Sequence, residues 1–236
     1  MRDVMRIPAY TLVPAQAKGC GDALSIRKLS NGSWEVGVHI ADVTHYVQPG
    51  TAVDNEGESR ATSVYLVDRT VPMLPERLSN DLCSLRPHEE KLTFSAVFEL
   101  DDQANIQQQW LGRTVIYSDR RFSYEEAQQV IETGEGDYKE EVLALHNLAQ
   151  TMRAERFRNG AISFEREEAK FKLDESGKPL GVYFKEQKES NQLIEEFMLL
   201  ANRKVAEYVG KKRGKGANAE RTLVYRVNEE PNAEKR

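Results

Sequence analysis

One short segment of this chain carries side chains of the types that bind metal ions, at a spacing that could bring them together. His39, Asp42 and His45 are three potential ligands within one short segment, and clustered histidines and carboxylates are typical of metal sites. However, the apolar pattern places His39 at a strand end and His45 in a helical turn, and no cysteine or further ligand lies nearby in the sequence. We therefore interpret this segment as a structural junction between a strand and a helix.

A cluster of basic residues near the C-terminal end is a second candidate functional group, because it could bind phosphates. Residues 211–215 read Lys-Lys-Arg-Gly-Lys, and basic side chains neutralise phosphates without reading base sequence. The same run is also typical of a solvated surface loop. The sequence leaves both interpretations open.

Composition indicates the class of protein but not its ligand. The chain has 236 residues, 39% hydrophobic and 30% charged, which is typical of a globular protein with a sizeable core. Its net charge of −5 argues against a wholly basic nucleic-acid binder but permits a local basic lining. No apolar run approaches the ~18 residues of a membrane-spanning helix. The two cysteines provide no disulfide framework, so a reducing cytoplasm is the expected location.

The elements that would position these residues include both strands and helices. Asn31-Gly32 predicts a hairpin, and Ser123 with Glu126 predicts a capping box that begins a helix. Apolar periodicity predicts strands at 10–13, 23–29, 34–40, 91–100, 107–117, 161–164, 169–173, 180–184 and 222–227, and helices at 43–47, 52–59, 123–132, 138–158 and 190–210. The predicted fold class is α/β (α+β), with a largely antiparallel sheet flanked by helices.

Residues 62–87 carry the most specific pattern in the chain. Pro72 and Pro75 exclude a regular helix or a central strand around them, and apolar residues at 78, 82 and 85 favour one or two helical turns. The strings Ser-Val-Tyr (63–65), Val-Pro-Met-Leu-Pro (71–75) and Leu-Ser-Asn-Asp-Leu-Cys-Ser-Leu (78–85) closely resemble the catalytic (RNB) domain of the RNase II/RNase R exoribonucleases, with bacterial ribonuclease R the most similar branch. The resemblance covers nearly the whole chain. It implies Mg²⁺-dependent hydrolysis of single-stranded RNA from its 3′ end, with release of nucleoside 5′-monophosphates.

The segment where this family carries its metal-binding aspartates differs from the family pattern. That pattern is Thr-Ile-Asp-Pro, a short spacer and Asp-Phe-Asp-Asp-Ala-Leu, whereas residues 11–25 read TLVPAQAKGCGDALS. Val13, Gly19 and Gly21 therefore stand where the family has aspartates, and only Asp22 is retained as a catalytic residue and metal ligand. Because Mg²⁺ catalysis needs several oxygen ligands, we expect an inactive or severely impaired enzyme.

Four other residues occupy positions that bind RNA in the family. By resemblance, Tyr65 lines the substrate channel, Phe164 clamps the 3′-terminal bases and Tyr124 takes part in substrate selection near the catalytic end. Glu195 corresponds to a glutamate that contacts a ribose. Without the resemblance, each aromatic residue would be interpreted as a core or half-buried side chain, and Glu195 as a solvated charge on a helix.

The resemblance also predicts the domain organisation. Residues 1–236 are predicted to form a single incomplete RNB-type catalytic domain, without its C-terminal part and without a cold-shock or S1 barrel. We expect a monomer that binds single-stranded RNA and neither a membrane nor a nucleotide cofactor. The alternative to an impaired exoribonuclease is a non-catalytic protein that binds single-stranded RNA, and a truncated chain with no stable function is a third possibility.

Overall fold

The computed structural model describes residues 2–15, 17, 19–67, 69–162, 168–174, 178–185 and 187–210. Its strands are β1 (Arg2–Asp3), β2 (Ala9–Val13), β3 (Asp22–Lys28), β4 (Trp34–Ala41), β5 (Val64–Tyr65), β6 (Thr70–Val71), β7 (Glu90–Leu100), β8 (Ile106–Tyr117), β9 (Arg120–Ser123), β10 (Glu168–Leu173) and β11 (Pro179–Lys185). Its helices are α1 (Val43–Tyr46), α2 (Ala52–Arg60), α3 (Tyr124–Thr133), α4 (Lys139–Arg158) and α5 (Glu189–Gly210), and a π-helical turn covers Leu78–Leu82.

Seven strands form one mixed sheet in the order β1-β8-β7-β4-β3-β2-β9. The four central pairings are antiparallel, whereas β1 joins β8 and β9 joins β2 in parallel. The predicted α/β class with a largely antiparallel sheet is therefore confirmed. β9 reads RRFS and has no clear apolar alternation, so it was not predicted. Its place in the sheet depends on tertiary pairing with β2.

The two faces of the sheet support two separate hydrophobic cores. Side chains alternate between the faces along a strand, so Leu24 belongs to one core and its neighbour Ala23 to the other. The larger core packs the sheet against α3, α4 and α5, with Leu145, Leu193 and Phe197 among its buried residues. The smaller core gathers Val4, Ile7, Ala23, Ala41, Cys83, Leu85 and Ile116. The 84–85 segment is thereby fixed against the sheet beside the start of β3.

Local sequence signals account for the ends of several elements. The predicted capping box is present. Ser123 Oγ accepts a hydrogen bond from the Glu126 amide at 3.1 Å, and the Glu126 carboxylate accepts one from the Ser123 amide at 2.7 Å. Gly32 takes a φ of 88° between β3 and β4, the left-handed conformation expected of an Asn-Gly hairpin.

Some predicted strands have a different outcome. Residues 161 and 162 are not in a strand, which corrects part of the 161–164 prediction, because the Ala161 amide donates to the Arg156 carbonyl at 3.2 Å in the turn that ends α4. Residues 163–164 and the predicted strand at 222–227 lie outside the described residues. None of the helices in the described part of the chain is long and apolar enough to cross a membrane.

Candidate nucleic-acid site

The loop between β2 and β3, which carries the altered aspartate positions, is held from two sides. Arg121 of β9 donates through Nη2 to the Ala17 carbonyl at 2.7 Å. On the other side, the Cys20 amide donates to Ser84 Oγ at 3.0 Å, and the Leu85 amide donates to the Cys20 carbonyl at 2.7 Å. The loop is therefore anchored both to the edge of the sheet and to the segment that follows the π-helical turn.

The charge of Asp22 acts on the hydroxyl of Tyr124, another of the predicted site residues. Asp22 is the first residue of β3, and Tyr124 is the first residue of α3. Burial raises the pKa of the Asp22 carboxyl. The pKa of the Tyr124 hydroxyl is raised by burial and, secondarily, by the charge of Asp22. The part that Tyr124 takes in substrate selection stays a prediction.

The three positions without aspartate differ in the space around them. Val13 is buried at the end of β2. A Cβ atom added to Gly19 would lie 2.7 Å from the Ser79 carbonyl oxygen, whereas one added to Gly21 would meet nothing within 4 Å. Neither glycine takes a positive φ, so the difference is purely one of space. Position 21 has room for the Cβ of an aspartate, but at position 19 this atom requires the backbone to move.

The described residues do not form a multidentate metal site. No group of three or more His, Cys, Asp or Glu side chains is placed to hold a metal ion within the described ranges. A Mg²⁺ ion needs several oxygen ligands at about 2.1 Å, and Asp22 is the single carboxylate that the altered loop contributes. The residues that the structure describes therefore do not fit the metal that the family resemblance implies.

The His39, Asp42 and His45 segment is confirmed as structural. His39 is fully buried and both ring nitrogens are occupied, with Nδ1 at 2.6 Å from Ser95 Oγ and Nε2 at 2.8 Å from Ser25 Oγ. Burial lowers its pKa to about 3, so the ring is neutral at physiological pH. Asp42 instead forms an ion pair with Arg113 at 3.0 Å. His39 and Asp42 are thus engaged by other side chains, and in the described part of the chain this segment forms no three-ligand group.

Tyr65 lies on the surface of the protein. In the sequence it is well separated from Asp22. It belongs to the short β5–β6 hairpin and is 80% exposed. Val64, Leu66 and Val71 around it are also exposed. An exposed aromatic ring offers a face on which an RNA base can stack, so its position is compatible with the role that the resemblance implies.

Phe164 lies outside the described residues. The preceding residues Gly160 and Ala161 line a cavity of about 720 Å³, together with the C-terminal part of α4 and the middle of α5. Glu196, Arg156 and Arg203 are among the charged residues of its wall. The role of Phe164 as a clamp for the 3′-terminal bases therefore stays a prediction.

Glu195 is half-exposed on α5 and contacts α4. Its Oε1 lies 3.5 Å from Nη2 of Arg156. The next residue, Glu196, is buried and accepts hydrogen bonds from Arg153 at 3.3 Å and from Arg156 at 2.5 and 3.1 Å. Sequence reasoning missed Glu196 and both arginines. The only signal for them was their opposite charge on two long neighbouring helices.

Comparison with known proteins identifies the family. The family model described as "RNB domain" matches residues 1–236. DIS3-like exonuclease 2 of Schizosaccharomyces pombe is 44% identical over 89% of this chain and 24% of its own length. Ribonuclease R 2 of Lactococcus lactis is 39% identical over 94% of this chain and 34% of its own length. An Arabidopsis thaliana relative, 39% identical over 88% of this chain and 21% of its own length, is named an inactive exonuclease.

Solved structures agree with the sequence comparison. Mycoplasma genitalium RNase R in complex with ribose-methylated single-stranded RNA has a TM-score of 0.81 and 29% identity, over 88% of this chain and 33% of its own. The chain thus spans between about a quarter and a third of the first relatives it matches. By its sequence and its fold, the chain belongs to the RNB-domain family of exoribonucleases.

Proposed function

We propose that this domain binds the 3′-terminal part of single-stranded RNA and has lost most of the RNase R-like, Mg²⁺-dependent 3′-to-5′ hydrolysis that releases nucleoside 5′-monophosphates. The observation that supports the proposal is the composition and the geometry of the loop that contains Asp22. Asp22 is its single carboxylate, and Gly19 approaches the Ser79 carbonyl so closely that an aspartate needs a different backbone. The loop has therefore lost both the ligands and the space for one of them.

The expected loss of activity follows from the number of missing ligands. Metal ions supply several kcal/mol of transition-state stabilisation, and each 1.4 kcal/mol changes the rate about tenfold. Removing three of the ligating aspartates should cost at least roughly three orders of magnitude in rate. In addition, burial raises the pKa of Asp22. It therefore disfavours the ionised carboxylate, which is the form that binds a cation.

RNA binding does not depend on those aspartates. The exposed ring of Tyr65 can stack on a base, and stacking contributes about 1–3 kcal/mol per base. Glu195 has a carboxylate that can accept a hydrogen bond from a ribose 2′-hydroxyl, by which proteins distinguish RNA from DNA. Binding of single-stranded RNA by a structural relative, and the name of the inactive Arabidopsis relative, support a protein that retains the RNA but does not hydrolyse it. We further expect it to act as a cytoplasmic monomer without a nucleotide cofactor.

A labelled RNA separates binding from hydrolysis. The chain is mixed with a 5′-labelled single-stranded RNA, and complex formation is followed by fluorescence anisotropy in EDTA. Product formation is then followed on a denaturing gel with Mg²⁺ or Mn²⁺. We expect binding in EDTA and no stepwise shortening with either metal.

A pair of variants, one test and one control, shows whether Tyr65 binds the RNA. The variant Tyr65→Ala should bind RNA more weakly, whereas Tyr183→Ala, which removes an exposed tyrosine of β11, should bind like the unmodified chain. Shortening from the 3′ end at a rate close to that of Lactococcus lactis ribonuclease R 2 would refute the loss of hydrolysis. Absence of binding in EDTA would refute the RNA-binding function.

A further inference from the structure

The contact between α4 and α5 contains a buried carboxylate with two arginine partners. The Glu196 side chain is only 3% exposed, and Arg153 and Arg156 are 21% and 31% exposed. Arg156 uses both Nε and Nη2 on the two oxygens of Glu196. This two-point contact fixes the plane of the Arg156 guanidinium, because a planar fork that meets a carboxylate at two atoms cannot rotate freely.

Arg156 also reaches the neighbouring carboxylate. Its Nη2 lies 3.5 Å from Glu195 Oε1, so one guanidinium contacts two successive glutamates of α5. Arg153 has no comparable contact with Glu195 among the described residues, since its ion pair is with Glu196. Glu196 therefore holds Arg156, and Arg156 in turn lies against Glu195, whose side chain is 43% exposed to solvent.

We propose that Arg156 is a positioning residue that orients the Glu195 carboxylate for recognition of an RNA ribose. This inference rests on the proposed function, because it assigns to Glu195 a contact with bound RNA. With Oε1 directed at Arg156, the carboxylate can still accept a hydrogen bond through Oε2. A fixed acceptor discriminates between a ribose 2′-hydroxyl and a deoxyribose better than one that rotates, because less side-chain freedom is lost on binding.

The chemistry of arginine explains why lysine cannot replace it. The guanidinium donates to both oxygens of Glu196, and this contact keeps its charge 3.5 Å from Glu195 Oε1. A lysine ammonium is a single charge on a flexible stem. A lysine at position 156 can neutralise the buried Glu196 but cannot make the two-point contact that fixes the position of the charge beside Glu195. Arg156→Lys therefore keeps the charge and removes the orientation.

Arg153→Lys is the matched control, because it changes the second arginine partner of Glu196 without touching Glu195. The affinities for a single-stranded RNA and for the DNA of the same sequence are measured in EDTA by fluorescence anisotropy, and the ratio of the two dissociation constants is compared. We expect Arg156→Lys to lower the preference for RNA roughly three- to tenfold, the range for weakening one hydrogen bond to a charged group. Arg153→Lys should keep the preference within about twofold.

A double variant shows whether Arg156 acts through Glu195. Glu195→Gln should lower the RNA preference by itself, and adding Arg156→Lys to it should lower the preference no further. If Arg156→Lys is too unstable to fold, the pair Arg156→Gln with Glu196→Gln provides the same test. It exchanges both members of the Arg156–Glu196 contact for amides of similar size, while Arg153, which is 21% exposed, keeps its charge, and it should give the same loss of preference.

The outcomes separate this inference from the proposed function. Absence of RNA binding by the unmodified chain refutes the proposed function and this inference with it. Equal affinity for RNA and DNA, with RNA still bound, overturns the ribose contact alone. An unchanged preference in Arg156→Lys, or an equal loss in Arg153→Lys, shows that Arg156 has only a structural role and overturns the positioning role.

Discussion

The space around Gly19 and Gly21 leads to a prediction that needs no RNA. Both glycines lie in the same loop and neither takes a φ in the left-handed range, so an alanine is conformationally allowed at either position. At Gly19, however, the new Cβ would lie 2.7 Å from the Ser79 carbonyl oxygen, well inside an ordinary contact of about 3.5 Å. At Gly21 the new Cβ meets nothing within 4 Å.

The magnitude follows from this difference in space. Overpacking against backbone that must shift costs typically 1–3 kcal/mol, so we expect Gly19→Ala to lower the free energy of unfolding by about 2 kcal/mol. Gly21→Ala should be neutral or slightly stabilising, by up to about 1 kcal/mol, because it restricts the unfolded chain. For a domain of this size, 1 kcal/mol corresponds to about 2–4 °C in Tm. The two variants should thus melt roughly 4–12 °C apart.

Thermal unfolding followed by circular dichroism in EDTA is the appropriate assay, because no metal can then bind an introduced side chain. The aspartate pair should follow the same order: Gly19→Asp should melt well below Gly21→Asp. A triple variant with Val13→Asp should be the least stable, since Val13 is buried and an unpaired buried charge is costly. If Gly19→Ala melted at or above Gly21→Ala, the close approach to Ser79, and with it the spatial argument for the altered loop, would be wrong.

Three further predictions test the surface and the buried charges. Tyr65→Ala should leave Tm unchanged, because the side chain is 80% exposed, but should weaken RNA binding roughly tenfold in an anisotropy titration; unchanged affinity would exclude a stacking role. His39 stays neutral in the folded state, with a pKa of about 3, whereas the unfolded chain binds a proton near pH 6.5. Folding stability should therefore fall as the pH drops from about 6.5 toward 3, and His39→Gln should reduce that slope in urea titrations; an unchanged slope would exclude His39 as its origin. Glu196→Gln should lower the unfolding free energy by roughly 2–3 kcal/mol, because it leaves two arginines poorly paired. Glu195→Gln should lower it by less than about 1 kcal/mol. Equal effects of the two variants would contradict the buried position of Glu196.

Several elements were predictable because their signals are local. The Asn31-Gly32 turn and the Ser123 capping box depend on residues at most three positions apart, and both are present. Apolar alternation likewise identified the central strands, since a half-buried strand shows its two faces in its own sequence. The missing aspartates at positions 13, 19 and 21 are also a property of the sequence alone.

Other features were decided only by the tertiary structure. β9 is a strand because β2 offers it a partner, and Glu196 rather than Glu195 is buried because of how α5 lies against Arg153 and Arg156 of α4. These contacts join residues about 40 to 110 positions apart, and no local pattern encodes such pairings. The sequence by itself therefore determined which ligands the Asp22 loop lacks. Only the folded chain decided that Gly19 has no room for one of them, because the obstructing oxygen belongs to Ser79, far away in the sequence.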